Sequence, residues 1–341
     1  MTYGYIAGVD IGGTKMAVSL ADKESIRFKV YQETKKEGDN CAVPRQVRKL
    51  IEYSCTRMNI PQPAICAVGI STCSPFEKRG NERVVVTPNL CGGLAKERGV
   101  IQNEWTEIPL EPYLKKIHDT VVAENDCVSA AVAEHTFGNL RGADNGGYVT
   151  ISTGIGMGFY VDGKIIRGKN GNAGHGGHIF VVEKGRQCGC GNYGDLESIA
   201  SGTAMALEYA ERAGVSAESI DAKEVFSRCQ KEDRIAKEVV RRAAYNLARG
   251  LSSVAALLDT EVFVLGGSVM NDRDVFLPLV KEEFYKAFPA LTRGIEFREP
   301  GLGKYLGDMA ALSLVMPDEW AGDWLEKKPW EHMPETVVLE D

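Results

Sequence analysis

The sequence predicts a mixed α/β fold with two similar lobes, because an apolar strand meets a glycine turn at three places. The first junction, residues 5–20, sets Gly12 and Gly13 between two runs of β-forming residues, the pattern of a β-hairpin. Residues 148–162 repeat this pattern around a Thr/Gly turn, and residues 261–268 end a short β run in paired glycines. We therefore expect the turns of two α/β lobes to face one cleft.

The first turn has the composition of a phosphate-binding loop. Glycine at both central positions tolerates a positive φ and lets backbone N–H groups approach a ligand closely. Thr14 and Lys15 add a hydroxyl and a cation, and Asp10 supplies a carboxylate where a phosphate-bound Mg²⁺ needs one. An ordinary hairpin in which Asp10 caps the turn explains the same residues, so the turn alone leaves both interpretations open.

Length, charge and cysteine content limit the class of protein. The 341 residues are enough for two domains with separate cores, and a net charge of −7 leaves no basic surplus for general nucleic-acid binding. No apolar run reaches membrane-spanning length, and residues 1–4 lack the pattern of a signal peptide. Nine cysteines, an odd number, predict mostly reduced thiols in a cytoplasmic protein.

Between the glycine turns, apolar periodicity predicts the main helices and strands. A helix is expected over residues 44–59, a buried parallel strand over 65–71 and a further strand over 84–87. Residues 91–103 are interpreted as a mobile lid segment or as a plain surface loop. Later helices are predicted over residues 197–212, 235–258 with an interruption at Gly250, 274–288 and 307–314.

A second functional stretch begins at residue 121, where a β-forming run ends in Asn125-Asp126 and a helix-prone segment follows over 128–137. Asp126 is therefore predicted at a strand end, beside a helix N-terminus. Capping that helix is the commonest role for an aspartate in this position. A carboxylate there also suits general-base chemistry, because phosphoryl transfer to a hydroxyl needs a group that accepts its proton.

A loop rich in glycine, histidine and cysteine follows over residues 173–194. His175 and His178 are three residues apart, and Cys188 and Cys190 follow closely. His178 and the two cysteines offer three ligands suited to Zn²⁺, although Cys-x-Cys is tighter than the usual Cys-x2-Cys spacing. The segment also matches G-x-G-x-x-G, but its glycines interleave with cysteines and open no predicted helix, so we reject a dinucleotide site.

Seven motifs occur in order along the chain: Asp10-Ile11-Gly12-Gly13-Thr14-Lys15, Thr87-Pro88-Asn89-Leu90, Glu124-Asn125-Asp126, Ser152-Thr153-Gly154-Ile155-Gly156, Gly174-His175-Gly176-Gly177-His178, Cys188-Gly189-Cys190-Gly191-Asn192-Tyr193-Gly194 and Leu265-Gly266-Gly267. In this order they resemble the ROK family of sugar kinases, within the actin-like ATPase superfamily, from about residue 5 to residue 315. The resemblance implies an α/β, two-domain actin-like ATPase (ribonuclease H-like) fold with a cleft between the lobes. The implied domains are an N-terminal ATPase lobe (1–123 plus 305–316), a C-terminal lobe (124–304) and an acidic tail (317–341).

The resemblance also implies the activity: ATP-dependent phosphorylation of a hexose at its 6-hydroxyl, with Mg²⁺. Asp126 corresponds to the family's catalytic aspartate and would act as the general base, and Asp10 would hold Mg²⁺ through water. Nucleotide binding is implied for Asp10, Gly12, Gly13, Thr14, Lys15, Thr153, Gly154, Gly266 and Gly267. Sugar binding is implied for Asn89, Asn125, Asp126, His175, His178 and Glu197.

Two positions depart from the family's pattern. Asp195 stands where the family has a third cysteine, so the implied metal ligands are His178, Cys188, Cys190 and Asp195, with Zn²⁺ bound or the site empty. His175 stands where most of the family has a glutamate that contacts the sugar. The resulting Gly-His-x-Gly-His form resembles N-acetylmannosamine kinases, so an N-acylhexosamine is the alternative substrate.

A non-catalytic sugar sensor and a kinase of the acetate or polyphosphate type are the competing functional classes. Sensors of this family carry a helix-turn-helix domain ahead of the first hairpin, which begins here at residue 5, and Asp126 with the glycine loops favours an enzyme. The family is commonly dimeric, so we expect a homodimer with no nucleic-acid or membrane partner. The tail, 317–341, holds three tryptophans and is predicted to dock on a subunit surface or across a dimer interface.

Overall fold

The computed structural model describes residues 4–94 and 101–340, and its contacts divide the chain into two compact units. The first unit comprises Met1–Arg141, Arg167–Ala173 and Gly301–Asp341. The second unit comprises Gly142–Ile166 and Gly174–Pro300.

Short runs of strands and runs of helices follow one another along the described chain. The strands are β1 (Tyr5–Ile11), β2 (Lys15–Ala21), β3 (Ile26–Glu33), β4 (Ile65–Thr72), β5 (Phe76–Arg79), β6 (Glu82–Val85), β7 (Val121–Asn125), β8 (Gly146–Ile151), β9 (Ile155–Val161), β10 (Lys164–Ile165), β11 (Val262–Gly266), β12 (Glu296–Arg298) and β13 (Thr336–Val338). The α-helices are α1 (Ala42–Met58), α2 (Leu110–Leu114), α3 (Asp126–Phe137), α4 (Glu197–Ala200), α5 (Gly202–Ala213), α6 (Ala222–Gln230), α7 (Arg234–Leu258), α8 (Arg273–Lys286), α9 (Pro289–Thr292), α10 (Leu306–Ser313) and α11 (Asp318–Lys327). Among the helices described, none combines the length and apolarity needed to cross a membrane.

The sheet of the first unit has the strand order β13-β3-β2-β1-β4-β7. β1 and β2 form the predicted antiparallel hairpin, with Ile11 opposite Met16, and β4 is the predicted buried strand, parallel to β1. β7 extends this sheet parallel to β4 and leads directly into α3. Residues 124–141 therefore belong to the first unit, whereas the predicted division assigned them to the second lobe.

The core of the first unit follows the helical periodicity that the sequence indicated for α1. Val43, Val47, Leu50 and Ile51 of this helix are buried in one cluster with Val18 of the hairpin. Their spacing places them on one helical stripe, and burying that stripe against the sheet is what stabilises an amphipathic helix. The helix begins at Ala42, two residues before the predicted start.

The second unit has a five-stranded sheet of order β10-β9-β8-β11-β12. β8 and β9 form the predicted second hairpin, with Ile151 opposite Ile155, and β11 lies parallel to β8. α7 runs unbroken through Gly250, so the predicted interruption is wrong. Gly250 is required by packing instead, since a Cβ there would lie 2.6 Å from Leu196 Cδ2. The helix predicted over 197–212 is divided into α4 and α5 at Ser201, whose side chain caps α5.

The tail folds onto the first unit. It forms α11, a 3-10 turn over Pro329–His332 and strand β13, which pairs in parallel with β3. The tail therefore docks on the surface of its own chain, which is one of the two predicted outcomes for residues 317–341; the other was docking across a dimer interface. Within the segment 91–103, for which a mobile lid was predicted, residues 95–100 lie outside the described residues. The lid therefore stays a prediction.

Candidate active site and metal site

The predicted site residues form two groups, one in each unit. The first unit holds Asp10, Gly12, Gly13, Thr14, Lys15, Asn89, Asn125 and Asp126. The second unit holds Thr153, Gly154, His175, His178, Cys188, Cys190, Asp195, Glu197, Gly266 and Gly267.

In the first unit, Asp10 and Asp126 come from the carboxyl ends of parallel strands in one sheet. Asp10 is the last residue but one of β1, and Asp126 directly follows β7. Burial raises the pKa of Asp10 to about 7, with the charges of Asp308 and Asp126 as the next causes. Lys29 and Lys15 lower this pKa by less. The site therefore opposes a negative charge on Asp10 unless a cation joins it.

Asn125, not Asp126, caps helix α3. The Oδ1 atom of Asn125 accepts hydrogen bonds from Cys127 N at 2.9 Å and Val128 N at 3.3 Å. Its Nδ2 atom donates to Ser74 Oγ at 2.8 Å. The hypothesis that Asp126 serves only as the helix cap is therefore wrong. Asp126 accepts a hydrogen bond from Cys127 N at 2.8 Å and is exposed, so a substrate can reach its carboxylate.

The structure adds Asp308, which the sequence analysis missed. This buried residue of α10 accepts hydrogen bonds from Ser19 Oγ and Lys29 Nζ, each at 2.7 Å. It follows Gly307, where a Cβ would lie 3.1 Å from Asp10 Oδ2, so α10 approaches the Asp10 carboxylate closely. One charged residue within the apolar run 306–314 is the sequence signal that could have identified it.

The turn between β1 and β2 presents exposed side chains. Neither Gly12 nor Gly13 has a positive φ, so the predicted conformational reason for these glycines is wrong. A Cβ on Gly13 would lie 3.5 Å from Asn89 O, an ordinary contact distance. Thr14, Lys15 and Asn89 are exposed. Gly12 N donates a hydrogen bond to Lys15 O at 3.0 Å, so what the turn presents outward is the exposed hydroxyl of Thr14 and the cation of Lys15, which suit a phosphate.

In the second unit, Glu197 connects the Thr/Gly turn to the cysteine loop. Its Oε2 atom accepts a hydrogen bond from Ile155 N at 2.8 Å, and a Cβ on Gly154 would lie 2.4 Å from the same oxygen. Its Oε1 atom accepts a hydrogen bond from Cys188 Sγ at 3.5 Å. Both carboxylate oxygens thus already have partners within the protein, and Thr153 beside this turn is exposed.

Gly266 and Gly267 pack against β8. Gly267 has a φ of +92°, and a Cβ there would lie 2.3 Å from Ile151 O. A Cβ on Gly266 would lie 2.6 Å from Tyr148 Oη. Internal packing alone therefore accounts for both glycines, so they do not by themselves point to a nucleotide.

Glycines also let the loop with His175 and His178 lie directly on β9. A Cβ on Gly177 would lie 2.2 Å from Ile155 O, and one on Gly174 would lie 2.3 Å from Met157 O. The two histidine rings are nearly parallel, with an interplanar angle of 24° and centroids 6.2 Å apart. Strand β9 thus determines where both imidazoles lie.

The four predicted metal ligands come together. One ligand atom from each of His178, Cys188, Cys190 and Asp195 lies within 4.8 Å of all the others. His178 Nδ1 is 3.1 Å from Asp195 Oδ2 and 3.8 Å from Cys188 Sγ, and Cys190 Sγ is 3.4 Å from Asp195 Oδ2. In a tetrahedral Zn²⁺ site with ordinary bond lengths, such ligand atoms lie about 3.3–3.8 Å apart. The donor types and their spacing therefore fit Zn²⁺.

The electrostatics of this cluster also suit a cation. Burial raises the pKa of the Cys188 thiol. Burial acts in the same direction on Asp195, but hydrogen bonds from Cys188, Ser198 and His178 outweigh it and lower the pKa of that carboxyl. The cluster thus keeps one ionised carboxylate, and a bound divalent cation would also deprotonate the thiol.

Comparison with known proteins gives the family. Residues 6–315 match the ROK family model. A glucokinase of Halalkalibacterium halodurans is 35% identical over 338 residues, 94% of this chain and 97% of that protein. An N-acetylmannosamine kinase of Yersinia pestis is 33% identical over 263 residues, 76% of this chain and 82% of that protein. The crystal structure of a Streptomyces griseus ROK family glucokinase with glucose and AMPPNP is 27% identical, with a TM-score of 0.66, and covers 91% of this chain and 99% of that one. The match along nearly the whole chain confirms the predicted actin-like α/β fold, and the chain belongs to the ROK family.

Proposed function

We propose that this chain is an ATP-dependent kinase that phosphorylates a hexose at its 6-hydroxyl. The observation that carries the proposal is the exposed Asp126 carboxylate at the start of α3, in the same sheet and at the same strand ends as Asp10. The two relatives above are a glucokinase and an N-acetylmannosamine kinase, both of which are sugar kinases. The similar Streptomyces griseus structure holds a sugar and an ATP analogue.

Asp126 is the proposed general base. Its carboxylate takes the proton from the sugar 6-hydroxyl as that oxygen attacks the γ-phosphorus, the bond from the γ-phosphorus to the bridging oxygen breaks, and ADP leaves. Most of the acceleration comes from positioning and charge stabilisation, since little covalent chemistry falls to the protein. Because Asn125 supplies the helix cap, the Asp126 side chain is not needed for that structural task.

Asp10 is the residue that fits Mg²⁺ in the first unit. Its raised pKa reflects surroundings that disfavour an isolated carboxylate, and a cation would reverse that preference. Bound Mg²⁺ would supply charge neutralisation at the phosphates. The backbone of Gly12 and Gly13, with Thr14 and Lys15, would hold phosphate oxygens. Thr153, Gly154, Gly266 and Gly267 are the nucleotide contacts proposed in the second unit.

The sugar itself is proposed as an ordinary hexose, with an N-acylhexosamine as the second candidate. Asn89, Asn125, His175, His178 and Glu197 are the proposed contacts. The second candidate rests on His175, which offers imidazole donors and acceptors but no fixed negative charge, and on the N-acetylmannosamine kinase relative.

We propose Zn²⁺ as a structural ion at His178, Cys188, Cys190 and Asp195. Four protein ligands complete a tetrahedron, which leaves no open position for water activation. The ion would hold the loop that carries His178, and Glu197 would link that loop to the Thr/Gly turn.

A cytoplasmic homodimer completes the proposal. All nine cysteines lie in the described part of the chain, and none of them forms a disulfide there, which suits a reducing compartment. Sedimentation velocity would test the dimer, and a monomer at all accessible concentrations would refute it.

The decisive test is ATP consumption with a panel of hexoses and N-acetylhexosamines, using Asp126→Asn beside the natural chain. One sugar should drive turnover, and Asp126→Asn should reduce kcat by a factor of about 10² or more. Asp318→Asn is the matched control, because Asp318 is the exposed first residue of α11 as Asp126 is of α3. Sugar-induced thermal stabilisation without any turnover would refute the enzyme and support a sensor.

A further inference from the structure

The tail lies outside the family match, which ends at residue 315, yet it is deeply embedded in the first unit. Trp320, Trp324 and Trp330 are 1%, 0% and 4% exposed, respectively. Tryptophans bury more apolar area than any other side chain, so three of them indicate a strongly held segment. A purely dispensable extension would not need such contacts.

The partner of two of these tryptophans is Phe137, the last residue of α3. Its ring centroid lies 5.2 Å from that of Trp330 and 6.3 Å from that of Trp324, and the two indoles are 6.5 Å apart. These separations fall within the range of favourable aromatic pairs. We call Phe137, Trp324 and Trp330 the aromatic socket.

The socket holds the end of α3 that is opposite to Asp126. α3 spans 12 residues, about 18 Å from its first residue to its last. Its other buried side chains are mostly small, and Phe137 is its one large buried aromatic residue. Buried Glu134 is a second anchor at that end, since it accepts hydrogen bonds from Gly301 N at 2.9 Å and Leu302 N at 3.0 Å. Helix α10 also packs on α3, where Met309 and Leu312 share a buried cluster with Phe137. The socket adds the large aromatic contact to these anchors and is therefore placed to adjust the axial position of the helix.

The tail is itself fixed to the sheet. Trp324 Nε1 donates to Lys23 O at 2.9 Å, in the turn between β2 and β3. Lys327 pairs with Glu24 in the same turn at 3.0 Å, and β13 pairs with β3. The socket therefore connects α3 to the sheet that also carries Asp10.

We propose that the tail is a positioning element for catalysis. Trp324 and Trp330 enclose Phe137, and this contact sets the axial position of α3 and hence of Asp126 at its other end. This inference rests on the proposed function for its kinetic consequence only. A displaced base would lower the rate of the chemical step, because small errors in its position relative to the sugar hydroxyl weaken proton transfer. ATP binding would change little, since none of the proposed nucleotide contacts lies on α3, whereas sugar binding would weaken with the displacement because Asn125 and Asp126 are also proposed sugar contacts.

The test compares the natural chain with Trp330→Ala and Trp330→Phe, at a temperature well below the unfolding temperature of each. Trp330→Ala should lower kcat about tenfold, with KM for ATP within about twofold, and Trp330→Phe should recover most of the loss. Leu50 is buried in another core cluster of the same unit, so Leu50→Ala should destabilise the protein and leave the aromatic socket intact. It is the control for effects of lower stability alone.

Unchanged kcat in folded Trp330→Ala would overturn the proposal, as would an equal loss in Leu50→Ala. Amide hydrogen exchange provides the readout that is independent of turnover. In Trp330→Ala, faster exchange should reach the amides of residues 127–130 at the far end of α3, whereas loosening confined to residues 134–140 would refute the coupling. If no sugar supports turnover, the proposed function fails while this measurement still decides the role of the tail.

Discussion

Replacing Asp10 by asparagine should make the protein more stable and inactive. The pKa of Asp10 is raised from 3.8 to about 7 in the folded chain, first by burial and then by Asp308 and Asp126. The folded state therefore holds the proton more tightly than the unfolded state does. Between about pH 4 and pH 7 the unfolded chain ionises first, so this carboxyl removes stability as the pH rises.

The magnitude follows from the shift. A difference of about three pKa units corresponds to about 4 kcal/mol, all of it expressed above pH 7. Asp10→Asn keeps the size and much of the polarity of the side chain but cannot ionise. We expect the variant to be more stable than the natural chain by about 2–4 kcal/mol near pH 8, with the gain shrinking towards zero near pH 4. Turnover should be lost, because the amide cannot replace the carboxylate at Mg²⁺.

The assay is urea unfolding of both chains across this pH range, without nucleotide or divalent cations. Taking the difference between the two chains at each pH cancels the other titrating groups, and Asp318→Asn controls for a generic Asp-to-Asn effect. A variant that is less stable near pH 8, or a difference that does not vary with pH, would refute the electrostatic reasoning. Full activity of the variant would refute the role given to Asp10.

Three further predictions concern other parts of the chain. Purified protein should contain about one Zn²⁺ per chain by elemental analysis, and Cys188→Ser should lose it and unfold at a lower temperature; metal retained by that variant would contradict the ligand assignment. His118 is buried, its Nε2 has no hydrogen-bond partner among the described residues, and burial lowers its pKa. The folded state therefore favours neutral His118, so stability should fall as the pH drops below about 6.5, and less so in His118→Gln; parallel pH profiles would contradict this. Arg167→Ala should cost about 1–3 kcal/mol, because buried Glu124 loses its 2.6 Å ion pair, and Arg167→Lys should recover part of it in a denaturation series.

Local pattern was enough to predict both hairpins and most helices. The Ile11–Met16 and Ile151–Ile155 pairings follow from apolar runs that flank short turns, a signal carried by neighbouring residues. The predicted interruption of the helix at Gly250 was wrong, because the rule that glycine breaks a helix takes no account of tertiary packing. Gly250 lies inside α7 and makes room for Leu196. Likewise, φ does not explain Gly12 and Gly13, and a Cβ would lie 3.3 Å from Lys15 O at Gly12 and 3.5 Å from Asn89 O at Gly13, so the contacts within this chain do not by themselves require either glycine.

The sequence alone determined the family, the order of the glycine turns and the position of Asp126 at a strand end, and it predicted the grouping of His178, Cys188, Cys190 and Asp195. Each of these depends on residues close together in the chain or on motif order. Only the tertiary structure revealed the contacts of Asp308 with Lys29 and of Phe137 with Trp330. The physical reason is that these partners are separated by long stretches of chain and are brought together by sheet pairing and helix packing. Residue types and their spacing indicate short-range structure. Burial, charge pairing and the raised pKa of Asp10 arise only when distant segments pack together and exclude water.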